Sequence, residues 1–466
     1  MRRSAFLAFS CLILGFIAGC GSGFNGTLNP GGGSGPTPPT GAPTVTSLSP
    51  STTVAGGGDF TLTVTGTNFA AGDTVDWEFT PLTSMYVSST EMKAQVPASL
   101  IAKPGSATIV VVTPTPSSMN FGSTFTVTAP QLQGNASYTM TTVNVAANDM
   151  VWDPASQQLF LSVPGNGSIT PLNPTTGQLG TPVMTGAPDR LAISDDSTYL
   201  YVGMDSSGSV QRFTLPGMTP DISIPLGSYL SYGPMYALDV EVAPGSPHTV
   251  AISRGTTALS PREEGGVAIY DDATPRPNSV PGVGYGPGPI DSLLWKADAT
   301  AIYGANTETT SSDLYVLPVD ASGVQAGKDY IVGGTFGFVP RDYNRTTGYV
   351  YAITGQAVDP ANGSVVGTFP FNAVLGGASG YDGVVTDGKL NIAYFLVQAM
   401  WDTTYQEDVL EAFDLTHYTF LGGIAVPETG AQQVKMVRWG SNGLALLTKS
   451  SVILISGGFV TSPAPQ

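Results

Sequence analysis

From Thr44 onward, apolar and polar residues alternate in short stretches separated by turn residues. Phe60-Thr61-Leu62-Thr63-Val64-Thr65 alternates with period two, which buries one face of a strand, and Gly66-Thr67-Asn68 breaks it. Val75–Phe79, Lys93–Val96, Ser106–Val112 and Phe125–Thr128 read as further strands of this kind. Roughly seven strands in about 85 residues, with no cysteine pair, predict an Ig-like β-sandwich over residues 44–129.

Residues 130–466 carry a different pattern. An apolar strand, a turn rich in Asp, Asn, Ser, Thr or Gly and a second apolar strand recur along the segment. The first strands end near Trp152, Ile193, Val242, Trp295, Tyr343, Val385 and Trp439, at intervals of 41, 49, 53, 48, 42 and 54 residues. Most units continue into a third strand, such as Ser209–Phe213 or Val409–Phe413, and several into a fourth after a turn such as Asn173-Pro174-Thr175-Thr176-Gly177. Seven such units predict a seven-bladed β-propeller. The last unit supplies only Val434–Trp439, Gly443–Thr448 and Val452–Ser456, so Tyr138–Val145 is expected to complete it and close the ring. An array of β-sandwiches is the rival architecture, but it leaves the seven similar units and the three-strand stub unexplained.

Composition agrees with an all-β chain. Of 466 residues, 58 are Gly and 37 are Pro, and charged residues make up only 11% against 41% hydrophobic. That is too apolar for disorder and too poorly charged for a coiled coil. The net charge of −17 repels phosphate backbones, which argues against nucleic acid as a partner. His248 and His417 are the only histidines, too few for the clusters that zinc or copper sites use.

The first 20 residues contain a positive pair, Arg2 and Arg3, then an apolar run from Ala5 to Ala18, and end in Ile17-Ala18-Gly19-Cys20. This resembles a bacterial lipoprotein signal. The resemblance implies removal of residues 1–19 and acylation of Cys20. Loss of Arg2 and Arg3 leaves 15 basic residues against 34 acidic, a net of −19. Cys11 lies in the apolar run, so Cys20 is the single thiol of the expected mature chain and acylation accounts for it. Gly21 follows where an inner-membrane retention signal would place Asp, so an outer-membrane location is expected in a Gram-negative cell. The acyl chains would be the only link to the membrane. Residues 20–43, rich in Gly, Pro, Ser and Thr and free of charge, read as a tether.

Two further resemblances concern the folded parts. Val45-Thr46-Ser47-Leu48-Ser49-Pro50, Gly56-Gly57 and Leu62-Thr63-Val64-Thr65-Gly66-Thr67-Asn68-Phe69 resemble the opening of an IPT/TIG domain. Ala94-Gln95-Val96-Pro97 and Pro104-Gly105 follow in that family's order. The resemblance implies a spacer or binding module without catalytic residues. Units such as Ser194-Asp195-Asp196-Ser197-Thr198-Tyr199-Leu200-Tyr201-Val202 resemble the YVTN/lactonase-like bacterial propellers, which implies a fold but no particular chemistry.

One constellation emerges from aligning the units. Asp149, Asp189, Asp239, Asp291 and Asp382 stand three or four residues before a first-strand landmark, and Lys435 occupies that place in the seventh unit. In the fifth unit the place falls near Val339 or Pro340. Innermost propeller strands line a central channel, so these aspartates are expected to ring one mouth. There they would hold a cation such as Ca²⁺, or bond turns and the backbone of the next blade. Asp205-Ser206-Ser207-Gly208 vaguely resembles a calcium loop but reads better as a turn. A Ser-His-Asp triad would need His248 or His417, both in turn sequences, and an arginine triad would draw on Arg190, Arg254, Arg341 or Arg438. The sequence therefore favours a non-catalytic envelope lipoprotein that binds an extracytoplasmic protein or glycan. A lactonase-like or glycan-cleaving propeller hydrolase is the competing reading.

Overall fold

The computed structural model describes residues 41–463, apart from 56, 102–104, 115–116, 120–121, 129–136, 257, 259–264, 282–289, 308–312, 333–338, 371–380, 398–407 and 428–433. The expectations for residues 1–40, Cys20 among them, lie outside the described residues. The described chain is all-β apart from a few short helical turns.

The first body is a two-sheet sandwich. One sheet orders Thr44–Ser49, Phe60–Thr67, Glu91–Val96 and Thr83–Ser88. The other runs from Thr52–Val54 through Ser123–Thr128, Gly105–Pro114 and Thr74–Trp77 to Thr80–Pro81. The period-two pattern has the expected result: Leu62 and Val64 are fully buried while Thr61 and Thr65 are exposed. They face Trp77 and Phe125, whose rings lie 5.1 Å apart. Gly66 is required by close approach, because a Cβ there would meet the Thr44 carbonyl oxygen at 1.9 Å and the Phe69 ring at 2.4 Å. The strand stops at Asn68, which takes a left-handed φ of 61° and donates from Nδ2 to the Ala42 carbonyl at 3.2 Å.

Among the described residues seven blades of four or five strands follow, numbered here in chain order. Their innermost strands are Asp149–Asp153, Pro188–Ile193, Tyr236–Val242, Ser292–Trp295, Pro340–Asn344, Tyr381–Asp387 and Lys435–Trp439. Each sequence landmark falls on one of these strands. Each innermost strand contacts the next, and the seventh contacts the first, so the ring is closed. Blade strands are covered on both faces by neighbouring blades, which explains their continuous apolar runs. Ile392–Val397 is buried at every position. Separate apolar clusters fill the gaps between blades: Met150, Leu161 and Trp439 between blades 7 and 1, Ala251, Ile269 and Ile302 between blades 3 and 4.

Blade 7 is completed as its sequence requires. Tyr138–Asn144 pairs antiparallel with Ser451–Gly457, from Tyr138 opposite Gly457 to Asn144 opposite Ser451. A single helical turn, Gly458–Thr461, then packs Phe459 against Tyr394 and Tyr138. The turns are built by short polar side chains. Asp153 accepts from the Ala155 and Ser156 N–H groups, and Asn173 accepts from those of Thr175 and Thr176. Asp205–Gly208 is also a turn, joining the second and third strands of blade 2.

Blades 2 and 3 share a polar joint. Arg212 sits on the third strand of blade 2 with its side chain only 5% exposed. It pairs with Asp221 of its own blade and with Asp272 of blade 3, each at 2.5 Å. The guanidinium lies 4.2 Å from the centre of the Tyr199 ring and donates to Tyr201 Oη at 3.3 Å. His248 Nδ1 lies 2.8 Å from the same Asp272 oxygen.

Candidate functional site

Each innermost strand is an edge strand facing the channel, so its channel-side N–H groups need acceptors from elsewhere. Three aspartates supply them. Asp149 Oδ1 accepts from its neighbour Met150 N–H at 2.8 Å, and Oδ2 from Leu191 N–H of blade 2 at 2.9 Å. Asp239 repeats the arrangement, with Val240 N–H at 2.9 Å and Leu293 N–H of blade 4 at 2.7 Å. Asp342 accepts from Thr386 N–H of blade 6 at 2.7 Å and from the Thr386 hydroxyl. Blades 1, 3 and 5 thus each grip the next blade through one carboxylate.

Above these clamps opens a cavity of about 780 Å³, at the end of the channel where the innermost strands begin. Its cations are Arg190 of blade 2, Arg341 of blade 5, and Lys435 and Lys449 of blade 7. Its acids are Asp149, Asp239, Glu241 and Asp291. Lys435 Nζ pairs with Asp149 Oδ1. Asp291 accepts from the Thr307 N–H and hydroxyl, each at 2.8 Å. Arg190 makes no hydrogen bond to the described residues, and the Asp189 carboxylate stands 3.8 Å from its Nε.

At the far end the channel is spanned. Arg345, in the first turn of blade 5, makes a two-pronged pair with Asp195 in the first turn of blade 2, at 3.2 and 3.4 Å. These blades are not neighbours, so the pair crosses the channel axis. The Gly245 N–H of blade 3 also approaches Asp195, at 3.4 Å.

The crowding of charge shows in proton affinity. Burial pushes the Glu241 carboxyl up to about 8, and the neighbouring Asp239 charge adds to the effect. Burial also lifts Asp239, to about 6, against the pull of the Leu293 N–H and of Arg190. Burial lowers Arg341, and the like charge of Arg190 works in the same sense. On Arg190 burial pulls down too, but the carboxylates of Asp189, Asp149, Asp239 and Asp291 outweigh it and hold the guanidinium above its usual value. Glu241 and Asp239 lie deep in the channel but are only partly covered, so channel water screens part of this field.

A carboxyl with a raised folded-state pKa contributes most stability below its unfolded value near 4.5, and that contribution is lost as pH rises through about 8. Glu241→Gln is therefore expected to flatten the fall in melting temperature between pH 5 and pH 9. At pH 9 it should stabilise the protein by about 1–2 kcal/mol after screening. Superimposable pH profiles for wild type and variant would contradict the assignment.

The five aspartates grouped by the repeat do not share one setting. Asp149, Asp239 and Asp291 line the cavity. Asp189 lies at its edge and accepts from Asn148 Nδ2 at 2.9 Å. Asp382, at the start of the blade 6 strand, is not among the cavity's described lining residues. Among the described residues no group of three or more His, Cys, Asp or Glu side chains is gathered as a metal site. The carboxylates meet backbone amides, a threonine hydroxyl and cations.

The fifth unit departs from the spacing of the others. The acid that bonds the next blade there is Asp342, one residue before the landmark Tyr343, where Val339 or Pro340 was expected. The strand is bulged between Pro340 and Asp342, and similar irregularities occur between Pro188 and Leu191, Ala237 and Asp239, and Tyr381 and Gly383. A bulge adds a residue to one strand of a pair, and the distance from acid to strand end also differs between blades: Asp149 is four residues before the end of its strand, Asp342 two before the end of its own. Of the four arginines considered, only Arg190 and Arg341 line the cavity. Arg254 donates to the Gly265 carbonyl, and Arg438 pairs with Asp387. His417 stays in its own turn with Asp414.

Residues 43–127 match the IPT/TIG domain family. No curated protein matches the chain. Among solved structures, the chain is similar to the β-propeller domain of Cps50 (Swd1) from Myceliophteria thermophila. The two are 12% identical with a TM-score of 0.50, over 69% of this chain and 99% of that one. A structural genomics protein of unknown function from Bacteroides thetaiotaomicron matches at 13% identity and a TM-score of 0.41, over 90% of this chain and 98% of its own. The chain therefore joins an IPT/TIG sandwich to a β-propeller, and the likeness to the Cps50 domain is one of fold alone.

Proposed function

We propose that this chain is a non-catalytic lipoprotein of the cell envelope, whose sandwich is a spacer and whose propeller binds a protein or glycan ligand at its channel mouth. The cavity is the observation that supports this reading. Three of its four acids already hold protein groups, Asp149 and Asp239 bridging blades and Asp291 fixing Thr307. Its accessible cations include the Arg190 guanidinium, which binds anions and acceptors but exchanges no proton near neutral pH. The test is retention of glycan and peptide arrays by the full chain in detergent, beside Lys449→Trp, which adds bulk in an exposed turn at the mouth. Retention that Lys449→Trp leaves unchanged would refute binding at the mouth.

One observation favours the alternative of a hydrolase: a carboxyl held protonated near neutral pH, as Glu241 is, suits a general acid. Turnover of lactones or glycosides that disappears in Glu241→Gln would establish that reading instead.

The envelope address rests on the sequence ending in Cys20 and on the Gly21 that follows. Cys20→Ser is expected to abolish acylation and to leave either unprocessed precursor or released soluble protein, read by membrane fractionation and intact mass. A Cys20→Ser protein of mature length that stays with the membrane would defeat the anchor.

A further inference from the structure

We propose that the ligand held at the channel mouth is a small carboxylate-bearing molecule, its carboxylate gripped by the guanidinium of Arg190 with Arg341 as the second cation. This deepens the binding reading above and rests on it.

The first support is the state of Arg190. A guanidinium presents five N–H donors in a planar fork. Here its Nε is sealed from solvent without a hydrogen-bond partner, and the nearest paired carboxylate oxygen, on Asp189, is too distant to accept at 3.8 Å. The side chain as a whole remains 40% exposed to the channel, so a ligand has access to it.

The second support is how the cavity's acids are engaged. Asp149 and Asp239 accept from backbone amides on two blades each, Asp149 also meets Lys435, and both oxygens of Asp291 are taken by Thr307. None of them turns to neutralise Arg190 by direct contact. Burial favours the neutral form of Glu241, so Asp149, Asp239, Asp291 and, at the edge, Asp189 stand against Arg190, Arg341, Lys435 and Lys449. The described lining is thus balanced in charge, within a chain whose net charge is −17.

The third support is size and shape. About 780 Å³ suits a sugar acid or the end of a short peptide. The Arg345–Asp195 pair lies across the opposite end of the channel and narrows it there. A planar carboxylate matches the guanidinium fork with two parallel hydrogen bonds, which a neutral hydroxyl cannot do.

A sugar acid and a peptide C-terminus share this chemistry, and the test separates them. Calorimetric titration of the full chain in detergent at pH 7 would compare glucuronate with glucose, and Gly-Gly-Gly with its C-terminal amide. At least one carboxylate probe is expected to bind 10-fold or more tightly than its neutral counterpart. Arg190→Gln should remove that preference, and Arg276→Gln, at the outer edge of blade 3, should keep it. Equal binding of charged and neutral probes, no binding of either carboxylate, or a preference surviving in Arg190→Gln would overturn the proposal. The arrays keep the two claims apart. Retention that Lys449→Trp abolishes but Arg190→Gln spares would leave a binding mouth standing while removing its carboxylate specificity.

Discussion

Asp149→Ala is expected to lower the unfolding free energy by about 3–4 kcal/mol. The carboxylate is 97% buried by its surroundings, with a residue exposure of 3%, and three groups depend on it. Its removal leaves the Leu191 and Met150 N–H groups without their acceptor and Lys435 without its partner. Desolvated donors without partners carry most of the loss, because water in the channel replaces a fixed acceptor only in part. Asp342→Ala should behave alike, since Thr386 loses acceptors for both its N–H and its hydroxyl. Asp189→Ala provides the contrast. It holds a side-chain amide and no backbone amide in the next blade, so a change under about 1 kcal/mol is expected. Denaturant titration of the three variants checks the ranking. A loss for Asp189→Ala as large as for Asp149→Ala would show that general charge loss matters and that the clamp does not.

The second large effect belongs to the joint between blades 2 and 3. Arg212→Leu is expected to destabilise by about 2–4 kcal/mol, from lost charge-assisted hydrogen bonds to Asp221, Asp272 and Tyr201 and from lost contact with the Tyr199 ring. The carboxylates are more exposed than the guanidinium, at 31% and 55%, so solvent screening holds the effect below that of a sealed pair. Lys296→Ala, which breaks an exposed pair with Asp298 inside one turn, should cost under about 0.5 kcal/mol. The joint also has a pH signature. Hydrogen bonds from His248 and Arg212 hold the Asp272 carboxyl below the usual carboxylate range. A depressed carboxyl contributes stability above its unfolded value near 3.8, and this is lost as pH falls through the lower folded value. The gap between wild type and Arg212→Leu should therefore narrow on acidification below pH 4. A gap independent of pH would assign the loss to packing alone.

The blades were legible because their strands are buried on both faces. That leaves apolar runs such as Ile392–Val397 and tight polar turns such as Asp153–Ser156, both visible in one dimension. Ring closure was legible for a related reason: blade 7 lacked a strand, and an unassigned strand preceded blade 1. The cavity was legible only in part. Asp149, Asp239 and Asp291 stood out as repeated acids, but Asp342 is next to its landmark Tyr343 instead of three or four residues before it, and the fixed spacing passed it by. Arg190 and Arg341 were considered only as arginine-triad members and Glu241 was missed, although each is a charge inside an innermost strand. That feature is the signal that finds them. The Arg212 joint gave no signal, since Arg212 and Asp272 lie 60 residues apart and meet only because their blades are adjacent.

The closing strand also sets a timetable. Tyr138–Asn144 precedes its partner Ser451–Gly457 by about 300 residues of chain. Whether the chain emerges from the ribosome or across a membrane, the earlier segment comes first. Until the last blade is present, it is a strand with no sheet to join. Thr139, Thr141, Thr142 and Asn144 occupy its exposed positions, interrupting the apolar content that Met140 and Val143 bring. A more hydrophobic strand in this place would pair with other chains while it waited. The polar side of the last sheet is thus a protection for the unfinished molecule, needed before the ring exists and retained after it closes.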